Sequence, residues 1–276
     1  MNTHTTLGWS TRVARFGFVL FVAGQTAWSA QFDFNAPGFV PTLGPGSIEF
    51  YSATTAADVE YGTASSFGLP AMPGGDAAVM KFPAFAGNQG LLFKTGVGPN
   101  GGGAYINQYT MVWDLLLPSI PEWFSFYNSD DVNGNDGDMF MNSAGGIGIS
   151  SVYDGAASAN TWHRIAASFD LTTSTLSKYI DGQLVGSQTL SSGVDGRWSL
   201  YSVDDPGNGL LLLTDNDGET GAGYINSFYF VDRVMTGDEI GALGGPNAVG
   251  IVPEPSTWAL LLAGGMFMGL WRRRRE

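Results

Sequence analysis

Asp-Gly occurs five times, at residues 136, 154, 181, 195 and 217, in a chain whose longest patterned runs alternate apolar with polar residues. Both residues tolerate the positive φ of a type I′ turn, so each pair is a candidate two-residue hairpin connection. The runs "TWHRIAASFDL" (161–171), "STLSKYIDGQLVGSQTL" (174–190) and "GAGYINSFYFVD" (221–232) have the period of two that belongs to half-buried strands. A 3.6-residue period competes only in the short "TGDEIGAL" (236–243), where Thr236 and Glu239 have capping-box spacing. With 40 glycines and only 13% charged residues, a helical bundle is disfavoured. The expected fold is all-β, a two-sheet antiparallel sandwich. The echo between "AYINQYTMVWD" (104–114) and "GYINSFYFVD" (223–232) lacks the fixed period of a repeat architecture and reads as two core strands of similar burial.

The two ends of the chain are patterned differently. Arg12 and Arg15 precede "FGFVLFVAGQTAWSA", and small residues follow at Ala27, Ser29 and Ala30, which reads as a signal peptide over 1–30 cut after Ser29 or Ala30. At the other end stands "VPEPSTWALLLAGGMFMGLWRRRRE". Pro253 and Pro255 keep their neighbours extended and deny amides to a helix. Thr257 to Trp271 form an uncharged run of fifteen residues, about 22 Å as a helix against a hydrocarbon core of about 30 Å. Arg272, Arg273, Arg274 and Arg275 then act as a cytoplasmic retention block, with Trp258 and Trp271 as interfacial anchors. Residues 246–252 read as a linker between domain and anchor. Residues 31–250 carry six basic against 23 acidic side chains, a net charge of −17, so no nucleic-acid partner is expected and anionic lipid is repelled. Without cysteine, there is neither a disulfide framework nor thiolate chemistry.

Two resemblances follow from these residues. The triplet Pro253-Glu254-Pro255, the apolar run and the arginine block resemble a PEP-CTERM sorting signal over 253–276. That resemblance implies export by a Gram-negative bacterium, transient anchoring in the inner membrane by a transmembrane helix, and processing by an exosortase, with delivery to the cell surface or extracellular matrix and a link to exopolysaccharide and biofilm. "NTWHRIAASFDLTTSTLSKYIDGQLVGSQ", with Trp162, His163, Tyr179, Asp181 and Gly182, is similar to the middle hairpin of laminin G-like, concanavalin A-like lectin domains. "GAGYINSFYFVDRVMTGDEIGALGG" resembles their closing strand and short acidic helix. This second resemblance implies a jelly roll over 31–245 and, as function, adhesion or glycan binding. A purely structural matrix protein and, behind it, a polysaccharide hydrolase are the alternatives.

Catalysis finds little to rest on. Glycosidases of this architecture need two carboxylates about 5 to 5.5 Å apart for a retaining mechanism, and the closest approach in sequence is Asp58-x-Glu60, which reads as a pair on a solvated strand face. His163 has no motif-placed nucleophile and reads as a packing or rim residue. No enzymatic activity is therefore expected. Among the aromatics, Trp113, Trp123, Phe124, Phe126 and Tyr127 read mainly as core, with a sugar-holding face as the other reading; Trp198 shares the ambiguity. "NSDDVNGNDGDMFM" (128–141) crowds oxygen side chains around glycine, and Asn128, Asp130, Asp131, Asn133, Asn135, Asp136 and Asp138 are the types that Ca²⁺ takes in its six to eight oxygen ligands. "TDNDGETG" (214–221) offers a second such loop. A polar hairpin loop that needs Asp, Asn and Gly only for backbone reasons is the other account. The two end signals generate one direct expectation: intact mass of protein recovered from the cell surface should show an N-terminus at Ala30 or Gln31 and a C-terminus near Pro253-Glu254-Pro255, without the four arginines.

Overall fold

The computed structural model describes residues 27–87, 89–131 and 136–251. Asn133, Asn135, the signal peptide up to residue 26, and the sorting-signal residues Pro253, Glu254, Pro255 and Arg272 to Arg275 with their apolar run lie outside the described residues. In chain order the strands are β1 (Ser29–Asp33), β2 (Ser47–Phe50), β3 (Glu60–Thr63), β4 (Ala78–Phe82), β5 (Leu91–Lys94), β6 (Gln108–Leu116), β7 (Trp123–Asn128), β8 (Asp138–Asn142), β9 (Ile147–Ile149) and β10 (Val152–Asp154). They continue as β11 (His163–Asp170), β12 (Thr175–Ile180), β13 (Gln183–Thr189), β14 (Leu210–Leu212) and β15 (Gly223–Val231), before the helix α1 (Gly237–Leu243). Two antiparallel sheets result. One is eight-stranded, ordered β13-β12-β11-β6-β15-β4-β3 with β1 also on β15; the other is seven-stranded, ordered β10-β9-β8-β7-β14-β5-β2. The expected jelly-roll sandwich is what the chain forms.

The core lies between the sheets because alternate residues of each strand point inward. From β6 come Tyr109, Met111, Trp113 and Leu115, from β15 Phe228 and Phe230, and from the facing sheet Phe124, Phe126, Met139, Met141 and Phe93. The two echoing segments are β6 and β15 themselves, hydrogen-bonded side by side with Phe228 opposite Trp113. Their likeness has the expected cause: both cross the middle of one sheet.

Unusually for a half-solvated sandwich, the outer face of the eight-stranded sheet is buried as well. Val112, Ala166, Tyr179, Tyr229 and Val231 point outward from it and are covered by Met235, Ile240 and Ile251. α1 supplies Ile240, and it starts as the spacing requires: Thr236 Oγ1 accepts from Glu239 N (3.3 Å) while Glu239 Oε2 accepts from Thr236 N (2.8 Å). Gly244 ends the helix at φ +65°. The following segment, read from sequence as a linker, is docked in its described part: Ala248 N donates to Pro73 O at 2.8 Å, and Ile251 is buried. It packs rather than spans because the outward row of the sheet is apolar.

The segment is held by one buried ion pair. Arg164 on β11 stands opposite Asp114 on β6, and both side chains are out of solvent. Arg164 Nε donates to Asp114 Oδ1 (2.7 Å) and Nη2 to Oδ2 (2.6 Å), a two-pronged fit. The remaining guanidinium protons reach the carbonyls of Leu243 and Gly250, and Asn247 N donates to Asp114 Oδ2 at 3.3 Å. Near the sandwich edge Lys178, wholly buried on β12, donates to Val152 O (2.9 Å) and pairs with Asp154 Oδ2 (2.6 Å), which ties β12 of one sheet to β10, the last strand of the other.

Of the five Asp-Gly pairs only Asp181-Gly182 has both residues at positive φ, 52° and 78°, and it alone forms a two-residue hairpin turn, between β12 and β13. Elsewhere the pair serves other needs. Gly137 is not at positive φ; a Cβ there would lie 2.3 Å from Trp198 Cδ1, so close packing demands the glycine. Asp195 accepts from the amides of Ala104 (2.9 Å) and Tyr105 (3.1 Å) and from Asn107 Nδ2 (2.9 Å), closing a loop across the chain. The ion pair yields the prediction here. Asp114→Ala or Arg164→Ala should cost about 3–5 kcal/mol in denaturant unfolding and open 244–251 to proteolysis, because the abandoned charge stays buried. Replacing both, as Asp114→Leu with Arg164→Met, should cost less than either single change.

Candidate functional site

The outer face of the seven-stranded sheet presents a different surface. Trp123 precedes the inward Phe124, Phe140 lies between the inward Met139 and Met141, and Tyr153 pairs with Gly148 between the inward Ile147 and Ile149. Alternation therefore turns all three aromatic rings outward, on β7, β8 and β10. Their rings touch: Trp123 is edge-on to Phe140 with centroids 6.1 Å apart and tilted against Tyr153 at 5.3 Å. All three are half-buried. Asn142 stands opposite Trp123, and Ser125 opposite Phe140. The glutamate Glu219 is brought to the same side by its carbonyl, which accepts from Ser125 N at 2.8 Å. Tyr153 has its phenol raised mainly by burial, with the charge of Glu219 adding to it.

Two acidic loops border this aromatic platform. Asp138, at the start of β8, has its carboxyl pushed up to about 8, chiefly by burial and then by the charges of Asp136 and Asp215. Its Oδ1 is buried without a hydrogen-bond partner. Glu219 is pushed up to about 7, first by a hydrogen bond with Asp215, then by burial and the charges of Asp215 and Asp217. Asp215 itself is buried and accepts at one oxygen from the amides of Asp217 (3.0 Å), Gly218 (2.8 Å) and Glu219 (2.9 Å). The loops thus relieve crowded charge by retaining protons and by drawing amides onto single oxygens.

The calcium expectation concerns the 128–138 side chains; in the described part Asn128, Asp130, Asp131 and Asp136 meet protein donors, whereas Asp138 Oδ1 meets none. Asn128 Nδ2 donates to Asp136 Oδ2 (2.9 Å), and Asn128 Oδ1 accepts from Asp130 N (2.9 Å). Asp130 Oδ1 accepts from Tyr201 OH (3.1 Å), and Asp131 Oδ1 from Gly209 N (3.2 Å). Among the described residues no three acidic or histidine side chains face one point where a metal ion could sit. A shallow cavity of about 90 Å³ opens beside this loop between Tyr105, Asp130, Asp195, Arg197 and Tyr201, and one of about 170 Å³ lies on the other side of Tyr201. Both are smaller than the roughly 300 Å³ at which closed ligand pockets begin.

The remaining sequence candidates are placed as follows. Asp58 is not on a strand: it closes a capping box with Thr55 in the 3₁₀ turn Ala56–Asp58, while Glu60 pairs with Lys81 at 2.6 Å. His163 bonds Asp181 Oδ2 through Nδ1 (2.8 Å) and accepts from Ser158 N at Nε2 (2.9 Å), so both ring nitrogens hold the fold. Trp113, Phe124, Phe126, Tyr127 and Trp198 are core; only Trp123 of the group faces outward. Phe140, Tyr153 and Glu219 were not singled out from the sequence. The alternation Asp138-x-Phe140-x-Asn142 could have shown that these three share a face, but Glu219 and Tyr153 come from distant segments.

Residues 100–241 match the family described as the concanavalin A-like lectin/glucanases superfamily, and residues 252–275 match the PEP-CTERM protein-sorting motif. No curated protein matches the chain. Among solved structures, the binding domain of botulinum neurotoxin DC in complex with rat synaptotagmin II is 10% identical, with a TM-score of 0.52 over 78% of this chain and 50% of that one. A mutant of Trypanosoma rangeli sialidase displaying trans-sialidase activity is 12% identical, with a TM-score of 0.51 over 77% of this chain and 32% of that one. At such identities the likeness is one of fold. The chain spans from about a third to a half of the length of these structures.

Asp138 makes the site pH-sensitive in a definite direction. Its folded pKa of about 8 lies above the ordinary carboxylate value, so its contribution to stability is fully present at about pH 4 and is lost as pH rises through about 8. Asp138→Asn mimics the protonated form. Its melting temperature should equal wild type near pH 4 and pull ahead toward pH 8, by at most about 1.4 kcal/mol per pH unit. Thermal melts across that range at fixed ionic strength, with chelator present, check this.

Proposed function

Because the chain belongs to the concanavalin A-like lectin/glucanases superfamily, we propose that its sandwich holds a glycan on the outer face of the seven-stranded sheet. The PEP-CTERM motif makes it an exported protein, membrane-anchored before an exosortase processes it. Within the proposal, the processed protein then works at the cell surface or in the extracellular matrix of a Gram-negative bacterium, where exopolysaccharide and biofilm supply the glycan.

The observation that carries this reading is the cluster of Trp123, Phe140 and Tyr153 turned outward from the core. Aromatic rings on a soluble sandwich are normally buried, and three in contact on an outer face form a surface on which the C–H face of a sugar ring can lie. Asn142 and Glu219 beside them supply the few polar groups that orient such a ligand. The shallow relief suits a polymer resting across the sheet rather than a small molecule enclosed by it.

The protein acts, in this reading, without turnover. Asp58 and Glu60, the carboxylates closest in sequence, are engaged in a cap and an ion pair. A hydrolase would have to use Asp138 and Glu219 instead, since raised carboxyl pKa values beside an aromatic surface are what a general acid requires. A structural matrix protein with no small ligand is the other alternative, and it makes no use of an outward aromatic cluster.

A glycan array probed with the processed protein, in millimolar Ca²⁺ and in chelator, tests the proposal. Binding should fall about tenfold or more in Trp123→Ala and in Tyr153→Ala, equivalent to at least about 1.4 kcal/mol each. No reducing sugar should be released from the bound polysaccharide. Release that Glu219→Gln or Asp138→Asn abolishes would favour the hydrolase, and a blank array with folded protein in both buffers the matrix protein. Binding that depends on calcium, and loses that dependence in Asp136→Ala with Asp138→Ala, would assign the cation to the first acidic loop.

A further inference from the structure

The two ends of the described chain meet at one corner. Gln31 on β1 bonds the 42–43 segment on its free edge, with Thr42 N donating to Gln31 O at 2.8 Å and Gln31 N donating to Leu43 O at 3.0 Å. On the face of the same strand lies Gly250, where a Cβ would sit 2.8 Å from both Gln31 Nε2 and Asp33 Oδ1. The N-terminal apolar stretch therefore joins the fold beside the point from which the sorting motif departs. Leu43, opposite Gln31, is 42% exposed, and Val249, next to Gly250, is 65% exposed; three residues before each of Leu43 and Gln31 along the chain stand Val40 at 76% and, until the N-terminal segment is cut, Trp28 at 61%.

We infer that this corner is a lipid-facing surface, and that in the unprocessed protein Val40, Leu43 and Val249 rest in the headgroup region of the bilayer that holds the C-terminal anchor. The inference depends on the sorting motif anchoring the chain. The tether fixes the occupant. Ile251 is buried in the fold, and only six residue steps separate it from Thr257, where the uncharged run begins. Fully extended, they reach about 20 Å, of which the headgroup layer takes about 5–8 Å. The point where the tail leaves the fold is thus kept within about 12–15 Å of the headgroup surface at most, close enough for an apolar surface beside it to enter the interface. Charge does not drive the contact: Asp33 is bonded to Gln31 and Ser227, Asp232 bonds the amide of Trp28, and Arg233 is paired with Glu239.

The absence of cysteine from the chain gives a direct test. Single variants Leu43→Cys, Val249→Cys and, as control on the opposite edge of the sheet, Leu184→Cys carry a polarity-sensitive fluorophore in the full chain reconstituted in phosphatidylcholine vesicles. Labels at 43 and 249 should emit further to the blue than the label at 184 and be quenched by a headgroup-level lipid quencher, and both effects should vanish when the tail is cut at 253–255. A chain that floats with the vesicles while all three labels stay equally wet overturns the lipid-facing corner but leaves anchoring intact. A chain that does not float with the vesicles overturns both.

Discussion

The buried pair of Arg164 and Asp114 is the constraint on which much of the remaining structure depends. Taking both charges out of water costs several kcal/mol per ion unless geometry and additional hydrogen bonds compensate. Here compensation is supplied from outside the sheet. The two strands provide the pair in register, but the leftover guanidinium protons need acceptors, which come from Leu243 and Gly250. A polar demand within the sheet is thereby converted into a docking order for the end of the domain. The apolar row of Val112, Ala166, Tyr229 and Val231 then gains its cover from the same segment.

This closure distinguishes the two sheets. The middle of one outer face is covered by the chain's own helix and tail. The other carries outward aromatics and acids, with its edge held to the first sheet through Lys178 and Asp154. The asymmetry is what makes one face a candidate site, and the same docked tail brings the membrane-directed end back beside β1. The site and the corner that we assign to lipid therefore belong to different sheets.

Acidity has a comparable dual role. A surface at −17 over residues 31–250 could scatter its carboxylates, yet the charges of Asp136 and Asp215 stand close enough to help raise the carboxyl of Asp138, and those of Asp215 and Asp217 to help raise that of Glu219. Some of the resulting strain is absorbed by backbone amides, as at Asp215, and some by retained protons, as at Asp138. Elsewhere single carboxylates fasten loops, as Asp195 does across the chain, and Glu239, paired with Arg233 and capping α1, is pulled down to about 2.

Local chemistry was enough to reach part of this from the sequence. The period of two determined the all-β sandwich, because side chains alternate whatever partner a strand finds. Thr236 and Glu239 determined the start of α1, because a capping box closes within one turn, and the order of triplet, apolar run and arginines determined the sorting signal, because it depends on no fold at all. The likeness of two segments already marked β6 and β15 as central strands. What depended on distant partners could not be read in advance. Asp-Gly signals a turn in isolation, but only packing decided that Gly137 makes room for Trp198 while Gly182 turns a hairpin. A segment at 246–252 that follows two glycines and opens with Pro246 reads as a linker until Arg164 is seen to need the carbonyl of Gly250. Which of five clustered aromatics faces outward was decided by strand boundaries and by a bulge between Ser125 and Tyr127 that resets the alternation. The platform itself joins residues from β7, β8, β10 and the loop after β14, and such a surface exists only once the sheet has set their register.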